Sequence, residues 1–90
     1  MDKLELLFSK YKRKGSKKNR TAQMQRVKAV MRHAGVYHPE QLGNNHVYLF
    51  YRSLVMKDAS ARTAYYYYLA LCILWDLLKR PNKPPKPLWV

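Results

Sequence analysis

The sequence predicts a small all-α protein, a four-helix bundle folded as one domain. Between Ala64 and Trp75 almost every residue is apolar, and a helix with so little polar surface to show water belongs at the centre of a bundle. Three other segments place apolar residues at spacings of three and four, the period of a helix with one buried face. Capping residues, glycines and prolines punctuate the chain between them. Tyr65 to Tyr68 have sheet propensity, but their flanks are helical, and nothing else reads as a strand.

Helix one is expected to follow Asp2 as its cap, to face inward through Leu4, Leu7 and Phe8, and to run to about Tyr11. Arg13 to Asn19 make a basic connection in which Gly15 can adopt the left-handed conformation that ends a helix. Helix two should begin between Ser16 and Thr21 and run to about Ala34. Met24, Val27, Met31 and Ala34 form its apolar stripe, while Thr21, Gln25, Lys28 and Arg32 recur on the other side. It thus offers one face to the core and a polar, basic one to something outside. Gly35 terminates it, and residues 36–43 form a loop in which Pro39 blocks continuation.

Asn44 or Asn45 is the expected cap of helix three, which turns Val47, Phe50, Tyr51, Leu54 and Val55 inward and ends near Met56 to Asp58. Ser60 caps helix four. Its inner face should hold Tyr67, Leu71, Leu74, Trp75 and Leu78, flanked by Tyr66, Ala70, Ile73 and Leu77. Its least buried stripe would be Arg62, Tyr65, Leu69, Cys72, Asp76 and Lys79. The bundle accounts for residues 1–80. Pro81 and the prolines at 84, 85 and 87 preclude a regular helix, which leaves residues 81–90 as a basic, proline-rich, extended tail.

The formal net charge is +13, and ten lysines and arginines lie between Lys10 and Arg32 without one carboxylate. Such a field favours nucleic acid as partner, then an anionic protein or the ribosome, and last an anionic membrane. A flexible, solvated basic loop is the plain alternative. The apolar run of helix four is about twelve residues long and is bracketed by Arg62 and Asp76, whereas a spanning helix needs about twenty. The N-terminus lacks the apolar stretch and cleavage site of a signal peptide, and the lone Cys72 fits a core hydrophobe. A cytoplasmic protein without membrane partners is therefore expected.

No catalytic constellation is visible. The five carboxylates are scattered, Cys72 has no histidine near it in sequence, and His33, His38 and His46 lack an accompanying cysteine cluster. The three glycines are isolated, so no phosphate-binding glycine loop is present. No enzyme activity, metal or cofactor is expected. The basic segment carries the stronger signal: Lys17, Lys18, Arg20 and Thr21 near a helix start can meet phosphates together with the free N–H groups of the first turn. Tyr66, Tyr67 and Tyr68 are expected in or beside the core, with Tyr65 exposed near Arg62. Stacking of tyrosines on unpaired bases is the competing use.

Taken in order, these helices resemble the N-terminal core-binding domain of tyrosine recombinases, the phage-integrase family, also described as an integrase SAM-like domain. The resemblance covers about Leu4 to Pro85. It rests on the loop His38-Pro39-Glu40-Gln41-Leu42, the helix Val47 to Leu54, the Ser60 to Thr63 cap, Ala70-Leu71, Leu74-Trp75 and Pro81. Gln25 stands where the family often carries an aromatic residue, four after the threonine that opens its earlier long helix. No residues match the family's catalytic arginine–histidine–arginine set and tyrosine nucleophile, so none of the eight tyrosines takes that role.

The resemblance implies an integrase-type bundle that binds double-stranded DNA without cleaving it, as a recombination accessory, a regulator or an isolated integrase domain. It implies a bacterial or phage-encoded, nucleoid-associated protein, with a tyrosine recombinase or further copies of the chain on DNA as additional partners. It points to Lys17, Lys18, Arg20 and Thr21 at the start of helix two, and to Arg62, Thr63 and Tyr65 or Tyr66 at the start of helix four. With Gln25, Lys28 and Arg32 these form the expected DNA-facing set. The alternative is a module that docks on a recombinase or another acidic partner through Tyr65, Leu69 and Cys72, with an RNA or ribosome binder third.

Overall fold

The fold is organised around the helix that opens at Ser60. This residue sits in extended backbone, and its Oγ accepts a hydrogen bond from the Thr63 amide at 3.2 Å, satisfying a donor that the first turn leaves open. The computed structural model of the chain describes residues 3–9 and 17–87, and among them the protein is all-helical, with no strand. The helices are α1 (Lys3–Ser9), α2 (Lys17–Ala34), α3 (Asn44–Met56) and α4 (Ala61–Leu77), with a single 3-10 turn at Pro39–Gln41 between α2 and α3. The expected Asp2 cap, the end of helix one at Tyr11 and the connection at Arg13 to Ser16 lie outside the described residues.

On α4, Ala64, Ala70, Leu71 and Leu74 are wholly buried, and Ile73 and Trp75 nearly so. Helix α2 is the element most extensively packed on α4. Val27, Val30 and Met31 from α2, Val47, Phe50, Tyr51 and Leu54 from α3, and Leu4 and Phe8 from α1 complete one continuous core. Phe50 meets Tyr67 and His33 edge-on, with ring centroids 4.8 and 5.5 Å apart.

Three expectations change. Val55 keeps the helical spacing but lies on the outer side of α3, 57 % exposed. Tyr66, expected to flank the core, is 42 % exposed, slightly more than Tyr65 at 39 %. The cap of α3 is Gly43 and not an asparagine: the Gly43 amide donates to His46 Nδ1 at 3.0 Å. The buried Leu42 just before it sets where the chain can enter the helix. Within the same loop Pro39 is buried at the first position of the 3-10 turn, and Gln41 Oε1 accepts the amides of Tyr37 and His38.

Helices α2, α3 and α4 end alike. A residue in the left-handed region follows each, namely Gly35 (φ 72°), Asp58 (φ 58°) and Lys79 (φ 57°). The next amide, of Val36, Ala59 or Arg80, then donates back five residues to Met31, Leu54 or Trp75. This closure satisfies the carbonyls that a helix end leaves open. Only Gly35 adopts the conformation without a Cβ penalty. Beyond α4, Arg80 donates to the Glu40 carbonyl at 2.9 Å, and Lys3 pairs with the Glu40 carboxylate. Lys3 holds that carboxyl below its ordinary pKa. Glu40 thereby ties the start of α1 and the end of α4 to one loop.

Lys79→Gly should raise stability by about 1 kcal/mol and Gly35→Ala should lower it by a similar amount, readable in thermal melts followed by circular dichroism. Trp75→Ala should cost about 3–5 kcal/mol. A neutral result for Trp75→Ala would contradict the central place of α4.

Candidate nucleic-acid interface

Helix α2 carries Lys17, Lys18, Arg20, Arg26, Lys28 and Arg32 over 18 residues without a carboxylate. Lys17 and Lys18 lie on its first turn, and their side chains are outside the described set. Arg20 is half-buried and Thr21 exposed. With Glu5, Phe8, Ser9 and Met24 they line a cleft of about 180 Å³ between α1 and α2. Gln25 and Arg32 are exposed, while Lys28 is half-buried with its Nζ 3.8 Å from Glu5. Lys28 and Arg32 also line a wider cleft of about 400 Å³ with Lys3, Met31, Val36 and Tyr37. The expected polar stripe of α2 thus borders α1, and Glu5 offsets part of its charge.

The first turns of α4 present a second face. Arg62 is exposed, whereas Thr63 is half-buried and its hydroxyl lies 3.0 Å from Ser60 Oγ. Arg26 places its guanidinium 5.2 Å from the centroid of the Tyr66 ring while donating to Gln23 Oε1 at 3.1 Å. On the other side, Tyr65 and Tyr68 lie 6.2 Å apart, and Lys86 Nζ is 6.0 Å from the Tyr68 ring. Helical geometry orders this arc as Tyr68, Tyr65, Arg62, Tyr66, so it is bracketed by Lys86 and Arg26. No carboxylate occurs from Ala61 to Tyr68. Cys72, hydrogen-bonded to Tyr68, and then burial raise the pKa of that phenol. An arrangement of cations over and between exposed tyrosines can hold phosphates and offer aromatic faces together.

The structure does not gather the expected residues into one cluster. Arg20, Thr21, Lys28 and Arg32 border α1, while Tyr66 is joined to α2 by Arg26, on the opposite flank of that helix. Arg26 and Lys86 were not legible as site residues. Arg26 falls between the two stripes of α2, and Lys86 reaches Tyr68 only because the tail is folded back. The apolar stripe expected for protein docking is partly covered, since Leu69 and Cys72 are half-buried. On α3, Tyr48, Leu49, Val55 and Met56 are exposed on the turns around Arg52.

Among the described residues no group of three histidine, cysteine or acidic side chains could hold a metal ion, and no helix is long and apolar enough to cross a membrane. Comparison with protein-family models, curated proteins and solved structures finds no match.

The tail is anchored by Tyr51, whose hydroxyl donates to the Pro85 carbonyl at 2.9 Å. Burial, the leading cause, pushes the Tyr51 phenol well above its ordinary pKa. The unfolded chain therefore loses this proton first, and the stability it contributes is complete below about pH 10 and declines as pH rises further. Tyr51→Phe should cost about 1 kcal/mol at pH 7. Melts between pH 8 and 11 should show the wild type losing its advantage over Tyr51→Phe above pH 10.

Proposed function

We propose that the chain is a non-catalytic module that binds duplex DNA, related to the core-binding domain of tyrosine recombinases and acting as a recombination accessory, a regulator or an integrase domain. The observation that carries this reading is the acid-free basic helix α2, joined through Arg26 to Tyr66 on α4, whose first turns also expose Arg62 and Tyr65. Exposed lysines and arginines on both helices are suited to the phosphate backbone. Such contacts fix position on DNA and carry little sequence information. Weak sequence preference is part of the proposal. A tyrosine acting as nucleophile in DNA cleavage needs arginines preorganised around the phosphate, and no tyrosine of this chain is given that role. The exposed apolar side chains of α3, Tyr48, Leu49, Val55 and Met56, favour a second reading as a protein-docking module.

A labelled duplex titrated at several salt concentrations tests the proposal. With roughly four to six phosphates engaged, log K should fall against log salt with a slope of about −4 to −5. Lys17→Glu combined with Lys18→Glu should weaken binding severely and leave the melt nearly unchanged. A flat salt response, or no binding at low salt, would sink the DNA reading and favour docking. On a suicide substrate the chain alone should form no covalent protein–DNA band, and such a band would make one of its tyrosines a nucleophile.

A further inference from the structure

The described part of the tail, residues 81–87, is seated on the bundle. Pro84 and Pro87 are buried while Lys83 and Lys86 are exposed. Each pair is three residues apart, the repeat of a polyproline II helix. One row of the tail therefore faces the protein and another faces solvent. Tyr51 holds it from α3 through the Pro85 carbonyl. A polyproline II segment has no internal hydrogen bonds, so its carbonyls are free to accept such a donor.

The direction of the tail follows from its two ends. Arg80 lies 4.3 Å from the centroid of Trp75, and Lys86 reaches Tyr68. Trp75 and Tyr68 are about two helical turns apart, so the tail runs back along α4 toward the half that bears Arg62 and Tyr65. Lys86 arrives beside Tyr68, which neighbours Tyr65.

We propose that the docked tail is itself a phosphate-contacting element, with Lys83 and Lys86 held as one row about 9 Å apart that continues the positive face of α4. This inference rests on the DNA reading above. A free basic tail loses its conformational freedom when it binds, whereas a seated row has lost it on folding. Position as well as charge then contributes to affinity.

The test is the same duplex titration across salt with the full chain. Lys83→Gln with Lys86→Gln should make the salt slope shallower by about 1.8, two phosphates at about 0.9 each. Lys86→Gln alone should remove about half of that, and Lys79→Gln, at the far end of α4, should leave the slope unchanged. Tyr51→Phe, which keeps both lysines, should weaken binding several-fold while circular dichroism stays that of the wild type. If the wild type binds duplex and the double variant keeps its slope, the tail makes no phosphate contact and only this inference falls. Equal effects from Lys79→Gln and Lys86→Gln, or wild-type affinity in Tyr51→Phe, would show that charge acts without position and would also overturn it. No binding by the wild type would overturn both this and the DNA reading.

Discussion

Helix α4 is apolar or aromatic in almost every direction along its middle, so water must be kept from most of its circumference. The remaining elements are arranged to do that. Helix α2 lies along it, α3 brings Phe50 against Tyr67, and α1 contributes Leu4 and Phe8 to the same core. The tail covers a further strip beside Tyr51 and Tyr68. Full burial of a large side chain such as Leu71 or Leu74 is worth about 1.5–3 kcal/mol. A domain of this size depends on a few such residues, since its stability is a small difference between large opposing contributions.

With the central helix given over to packing, charge is left to the elements around it. Helix α2 combines both demands: Val27, Val30 and Met31 enter the core while its cations stay outside. Two carboxylates pair with lysines of other elements, Glu5 with Lys28 and Glu40 with Lys3. No carboxylate occurs on the first turns of α4, from Ala61 to Tyr68. On the proposed reading, separation of apolar from basic residues lets one short chain fold and still present a polyanion surface.

Much of the architecture was legible in the residues because its signals are local. The Ser60 cap with Thr63, the helix stop at Gly35 and the period of α2 are decided within a few residues. What escaped was decided at longer range. Gly43 displaces the better capping residues after it because the loop buries Leu42, and His46 supplies the acceptor. Val55 and Tyr66 satisfy a helical period yet face water, since periodicity does not say which side of a helix its neighbours will cover. The bond from Tyr51 to Pro85 spans 34 residues of sequence, so composition alone read a seated segment as a plain extended tail. The expected DNA-facing set was likewise found as two faces because the spacing along a helix cannot show where α1 will lie.

The return of the tail along α4 also sets where residue 87 lies on the bundle. A helix of 17 residues would ordinarily carry its C-terminus to the end opposite its start. Here the chain doubles back, and Pro87 is buried one residue beyond the lysine that touches Tyr68. A probe placed at residue 87 itself would therefore report on the middle of α4, near Tyr68, and not on the helix's far end.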